Sequence, residues 1–377
     1  MKFYKILNKE EKHHGMRYRT GLNIDCRSFK PWGNCEPGGI YFSREDIFAF
    51  LDYGPWIREV IVPKDARVYE NPGSPKKWKA DKVILGERKR IDLDVIKELI
   101  KEGANIHAGG DYALIWASKN GFFEIVKCLI KHGADIHVCS DCPLRCASEN
   151  GHFRIVKFLV KHGANIHACD NYAFRWAAEN GHLDVIKFLV KCKVDIHTRN
   201  DEALRWASMN GYLNVVKFLV KCGANVHAYN NEAFRWASIN GRIKVAKFLV
   251  KNGADIHAQN GEALRGAAEN GHLNVVKFLI EHRADIYMYG DYALRQASKN
   301  KHFDIVKFLV KRGANIRECS DYVLPRAVEN GRLDIIKFLI KYGADIRACD
   351  GYVLERAVKN GHRDVADFLM NKLLKIN

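Results

Sequence analysis

DEALRWASMNGYLNVVKFLVKCGANVHAYN, residues 201–230, returns nearly unchanged at thirty-residue steps in both directions. Asn-Gly pairs mark the beat at Asn120-Gly121, Asn150-Gly151, Asn180-Gly181, Asn210-Gly211, Asn240-Gly241, Asn270-Gly271, Asn330-Gly331 and Asn360-Gly361, and only Asn300-Lys301 breaks it. A fixed period of this length marks an array of stacked units, each unable to bury its apolar face alone.

Within the unit, Asp201 stands where a helix N-cap belongs, and Asp, Asn or Gly fills that place in every copy from 111 onward. Such side chains satisfy orphan backbone N–H groups. Glu202–Met209 reads as a short helix stopped by Asn210-Gly211. Leu213–Cys222 reads as a second, with Gly223 as its stop and Lys217 and Lys221 near the cation-favouring end. Ala224–Asn230 reads as a loop. Helices of about ten residues are marginal in water and persist by packing on neighbouring copies. Ala203, Leu204, Ala207 and Ser208 form the inner stripe of the first helix. Leu213, Val215, Val216, Phe218, Leu219 and Val220 wrap most of the second, which predicts a largely buried helix.

The run Ala203-Leu204-Arg205-Trp206-Ala207, then Asn210-Gly211, Val215–Val220 and Gly223-Ala224-Asn225-Val226, resembles the ankyrin repeat over roughly 81–377. The familiar unit has about 33 residues and T-P-L-H at its first helix. Here it has thirty, with Ala-Leu-Arg in place of Pro-Leu-His. The missing residues fall between units, so a short turn is expected there, not a projecting β-hairpin. The abbreviated, Arg- and Lys-rich unit is similar to ankyrin proteins of giant amoeba-infecting viruses. The resemblance implies a mostly α solenoid of stacked helix-turn-helix repeats that binds proteins without catalysis, joined to a small N-terminal α+β domain.

The formal net charge is +17, of which +5 lies in residues 1–80 and +12 in the remainder, so the excess is spread through the repeats. A basic surface admits acidic proteins, nucleic acid or anionic membrane as partners. Eleven cysteines show no disulfide-framework spacing. The N-terminus has no apolar h-region, and no apolar run reaches membrane-spanning length. A non-secreted, monomeric protein of a reducing compartment, host cytoplasm if viral, is expected.

Residues 1–86 lack the period and hold Trp32, Trp56, Trp78, most of the prolines and Gly38-Gly39. Ile40–Phe42, Val60–Val62 and Val83–Leu85 read as strands, and Arg44–Leu51 as a helix capped by Ser43. The basic stretch Asn71–Lys77 lacks phosphate-loop spacing and reads as solvated. This domain, similar to a leader segment on some viral ankyrin proteins, is expected to cap the array of residues 87–377. A partial unit spans 81–110, whose second half, from a cap at Asp92 to Glu102, reads as a helix. Eight full units follow over 111–350. A last unit, 351–377, places Arg363 and Asp367 where other copies have apolar residues and Lys, as a terminal cap would.

The second, sixth and ninth places of the unit vary most between copies and share one helical face. In the resemblance this first-helix face lines the concave side, which makes it the candidate partner surface. Trp176, Trp206 and Trp236 occupy its sixth place in successive units. Met209 and Ile239 stand beside two of them, and Tyr172, Glu202 and Glu232 take the second place. The tryptophans read either as interface anchors or as seals between repeats. Of the arginine column at the fifth place, Arg205 and Arg235 lack an acid four residues on and are expected to be more available than Arg145, Arg175 or Arg265. The column also reads as a ladder across repeats.

On the second helix, Lys127, Lys157, Lys187, Lys217, Lys247, Lys277, Lys307 and Lys337 form a ridge, least balanced by acids near 211–280. It reads as a solvated face or as a nucleic-acid or lipid surface, the former favoured because stacking aromatics are not expected along it. The column His107, His137, His167, His197, His227 and His257 reads as loop-ordering hydrogen bonds, because neighbouring copies stand too far apart to share one zinc ion. His137, Cys139, Cys142 and Cys146 have a spacing able to hold zinc, yet Cys169, Cys319 and Cys349 repeat the Cys139 place alone. No nucleophile–base arrangement stands out in the array. His13, His14, Cys26 and Cys35 of the leader match no motif. The reading is therefore a binding scaffold that uses no cofactor and is not an enzyme.

Overall fold

The computed structural model describes residues 2–31, 36–317, 320–347 and 352–374. Trp32, Cys35, Cys319, Cys349 and Gly351 lie outside the described residues. The fold divides into two units, Met1–Val194 and Asp195–Asn377.

The first unit opens with a strand-rich domain. Its four-stranded antiparallel sheet runs in the order Phe3–Leu7, Trp56–Ile61, Lys82–Arg90, Gly21–Ile24. A second sheet orders Ile40–Phe42, Lys77–Ala80, Val68–Asn71. Leu7, Tyr18, Ile40, Phe42, Val60, Ala80, Val83 and Leu85 form one buried core. The expected strand at 83–85 is longer and passes Gly86 to reach Arg90. The helix expected at Arg44–Leu51 is instead a 3-10 helix, Ile47–Tyr53. Ser43 does not cap it, because its hydroxyl donates to the Lys76 carbonyl at 2.7 Å. Asp46 accepts from the Lys76 N–H and the Asn105 amide. The Asn105 N–H donates to the Glu45 carbonyl at 2.8 Å, so this segment lies against the loop preceding the unit at 111. Asp92 caps Leu93–Lys101 as its spacing predicts, accepting from the N–H groups of Asp94 and Val95.

From there helices alternate with tight turns, and no strand forms among the described residues beyond Arg90. In the second unit, the repeat at 201 forms helices Thr198–Asn210 and Leu213–Lys221. Gly211 and Gly223 end them in left-handed backbone (φ 87° and 100°), where a side chain would be strained. Ala203, Leu204, Ala207, Ser208, Val215, Val216 and Leu219 are buried. Leu213, Phe218 and Val220 are only half-buried, so the second helix is less enclosed than its composition predicts.

The expected cap at Asp201 is corrected. Arg199, Asn200 and Asp201 are all left-handed (φ 52°, 55° and 57°), whereas an N-cap takes extended backbone. The same run recurs at 109–111, 139–141, 169–171, 229–231 and 259–261. Asn, Asp and Gly tolerate that conformation best, which explains their recurrence there. The Asp201 carboxylate instead accepts from His197 Nδ1 at 3.0 Å and from the Asn225 N–H of the next turn at 3.0 Å. Asp111, Asp141 and Asn171 repeat the bond to the histidine at 2.9–3.0 Å. The histidine column thus orders its loops as expected. The unit at 291 departs. Its first helix, Ile286–Lys299, is capped by Asp285 and continues without the left-handed run, leaving Tyr287 and Met288 exposed.

Candidate functional site: the first-helix face

The second, sixth and ninth places of the first helix are half-buried or exposed in nearly every copy, while the third, fourth, seventh and eighth are buried. The variable places therefore do point away from the packed stripe. Trp116 is the exception at the sixth place, buried with its ring centroid 4.9 Å from that of Phe122.

In the first unit, Tyr172 and Trp176 stand one turn apart with stacked rings, 5.0 Å between centroids at 21°. The Arg145 guanidinium lies 5.0 Å over the Tyr172 ring. Burial, then the Glu149 charge, push the Tyr172 hydroxyl pKa up to about 12. In the second unit, Trp206 and Trp236 are half-buried at the same place, with Met209 and Ile239 half-buried beside them. The tryptophan column stops at Gly266, where even a Cβ would meet Ile239 Cγ1 at 2.5 Å.

The expected availability of Arg205 and Arg235 is corrected. Both are 8% exposed. Arg205 donates to the carbonyls of Asn200 and Arg199 at 3.2 and 2.9 Å and pairs with Glu232 of the next repeat. Arg235 does the same with Asn230, Tyr229 and Glu262. The left-handed run takes those carbonyls out of helical pairing and turns them into acceptors. The partner acid lies 27 residues away in sequence, so a search four residues along the same helix misses it. The arginines build a ladder across repeats, and Glu232 is consumed in it. Glu202 is half-buried and also engaged. Other half-buried side chains of this face, Trp206, Trp236, Met209 and Ile239, are aromatic and apolar.

A second tie between repeats has a trace in the sequence that passes unnoticed, the recurrence of His or Arg at the twelfth place. His152, His182 and His362 point Nε2 at the carbonyls of Lys119, Glu149 and Glu329, at 2.9–3.1 Å and 33 residues back. Arg242 Nε donates to the Met209 carbonyl in the same way.

On the second helix, Lys217 and Lys247 are exposed and Lys277 half-buried. Two phenylalanine rings adjoin this ridge, one buried (Phe278) and one half-buried (Phe123). Lys247 Nζ lies 5.6 Å from the Phe278 ring centre, and Lys127 lies similarly over Phe123.

Cys142 and Cys146 sit one turn apart with sulfurs 3.6 Å from each other. His137 is bonded to Asp141 and Cys139 is exposed on the left-handed run. No three His, Cys, Asp or Glu side chains among the described residues gather to hold a metal.

Profiles of ankyrin repeats match residues 88–170, 174–260 and 258–320, and a further one matches 324–370. Among similar proteins are R229, R868 and R869 of Acanthamoeba polyphaga mimivirus; the first two carry ankyrin repeats in their names and the third is described as uncharacterized. They are 36%, 35% and 36% identical to this chain over 31–32% of its length. The matched part spans 40% of R229, 63% of R868 and 92% of R869.

Proposed function

The chain belongs to the ankyrin-repeat family, whose repeats generally mediate protein–protein interaction, and from that premise we propose that it is a non-catalytic scaffold gripping a protein partner on the first-helix face of its repeats. One observation carries the proposal: Trp206 and Trp236 are half-buried beside Met209 and Ile239, while the charged groups of the same face are spent on one another. Large, partly desolvated aromatic groups on a rigid support are what interface anchors require. Tyr172 and Trp176 offer the same chemistry in the first unit. With relatives in a virus of amoebae, the partner proposed is a host protein, met in host cytoplasm and bound by a monomer.

The test is to capture partners from an amoebal lysate with the wild-type chain and to identify them by mass spectrometry. The binding of one identified partner is then measured for Trp206→Ala and Trp236→Ala. Each substitution is expected to weaken binding by about 2 kcal/mol or more, as hot-spot residues do, with only a small fall in melting temperature. A variant that melts far lower yet binds as tightly while folded would assign the tryptophans to packing alone.

A second reading is electrostatic binding of nucleic acid or anionic membrane along the lysine ridge. It is favoured by exposed Lys217 and Lys247 with Asn214, Lys244 and Asn274 in the places where acids balance other copies. Affinity would then fall steeply with salt and vanish in a Lys217→Glu/Lys247→Glu variant. A salt-independent affinity would remove this reading.

A further inference from the structure

In the strand-rich domain a cleft opens between strand Phe3–Leu7, strand Ile40–Phe42, the 3-10 helix Ile47–Tyr53 and the short strand Lys12–His13. It is a half-open cleft: about 600 Å³ lies between its walls when open solvent at the mouth is counted, and only a small part of that is enclosed. Lys5, Lys12, Lys77 and His13 are among its lining residues, and among the described residues no Asp or Glu lines it. Lys5 is 5% exposed; its Nζ donates to the Tyr41 carbonyl at 2.8 Å and lies 4.6 Å from the Tyr18 ring centre. Lys77 and the buried Lys79 bring two further ammonium groups within 5.4 and 4.9 Å of the Tyr41 ring centre.

Two acids of the same domain, Asp25 and Glu11, are committed elsewhere. Asp25 binds Arg27 and the Gly39 N–H, and Glu11 binds Arg58. Lys12 does pair with Glu10, but that pair is exposed and of the kind that contributes little in water. The positive field is felt at His13. Burial first, then the charges of Lys5, His14 and Arg27, lower its pKa to about 4. A potential that repels a proton attracts an anion. One side of the cleft is aromatic. Tyr53 is 44% exposed, meets the His13 ring edge-on at 5.9 Å and adjoins Phe50 at 6.2 Å.

We propose that this cleft binds a small organic phosphate bearing a planar ring, of the nucleoside monophosphate class. The phosphate sits among Lys5, Lys12 and Lys77, where several ammonium donors meet a doubly charged group. The ring lies against Phe50 and Tyr53, whose faces supply stacking area. The domain is then a ligand-binding module in its own right, separate from any partner surface on the repeats.

Titration calorimetry of the full chain with adenosine monophosphate, inorganic phosphate and adenosine tests this. Saturable binding of the monophosphate is expected, with each fragment at least about tenfold weaker, since charge and ring each contribute on the order of a tenfold step. Lys12→Glu and Lys77→Glu should each weaken the monophosphate at least about tenfold at an unchanged melting temperature. Tyr53→Ala should weaken the monophosphate and leave inorganic phosphate unaffected. Absence of saturable binding overturns the proposal, as does equal affinity for inorganic phosphate, or wild-type affinity in Lys12→Glu, whose exposed side chain puts folding at little risk. Trp206→Ala should bind the monophosphate as the wild type does, which keeps this outcome independent of the partner surface.

Discussion

One helical turn sets the chemistry of two thiols. Cys142 and Cys146 share a sulfur–sulfur hydrogen bond, which lowers the Cys142 pKa against the opposing effect of burial, with Arg145 assisting, while the Cys146 thiol is raised. Thiolate is the reactive form. Alkylation of Cys142 by iodoacetamide should therefore remain fast to lower pH than that of an ordinary thiol. In Cys146→Ala the donor is gone, and the rate should fall away from nearer the ordinary thiol value of about 8.5. Mass spectrometry of the labelled peptide across pH checks this, and an unmoved profile in Cys146→Ala would mean that the S–H bond is not the cause. The spacing of these two cysteines is plain in the sequence. Their 3.6 Å approach needs both side chains to share a rotamer direction, which the tertiary surroundings select.

Between elements, the bridge at the first place of the unit matters more than the cap it was read as. Asp201 is buried and serves two donors, the His197 ring and the Asn225 N–H. Asp201→Ala leaves both without an acceptor inside the fold, so urea unfolding followed by circular dichroism should show a loss of about 1–3 kcal/mol. Asp201→Asn keeps the accepting oxygen, as Asn171 and Asn231 do naturally, and should cost clearly less. Equal losses in the two variants would argue that charge, not the bridge, is the contribution. Helix positions were legible because period, Asn-Gly stops and apolar spacing are local signals, and Glu202–Met209 falls inside the observed helix. The left-handed run was not legible. Asn and Asp favour N-caps and left-handed backbone alike, and only the N–H of Asn225, at the far end of the same unit, decides between the two.

For the molecule as a whole, a net charge of +17 spread over strand domain and repeats sets up self-repulsion. Several ion pairs among the described residues have both side chains exposed, and these contribute little in water. Raising ionic strength from about 0.02 to 0.3 M shortens the screening length severalfold, so the melting temperature should rise. A fall would show that the inter-repeat pairs Arg205–Glu232 and Arg235–Glu262 outweigh the repulsion.

The thirty-residue period, the two helices per unit, their buried stripes and the outward turn of the second, sixth and ninth places are properties of the sequence alone. They follow from short-range spacing, which a helix converts directly into faces. Which charged groups remain for a partner was decided by tertiary structure. Arg205 meets Glu232 only because the next copy of the unit places its first helix alongside, 27 residues on. The cationic cleft is of the same kind, since Lys77 lies far along the chain from Lys5 and Lys12 and joins them only when the strands pack. Long-range contacts carry no local mark, and pairing across them depends on geometry that exists only once the chain has folded.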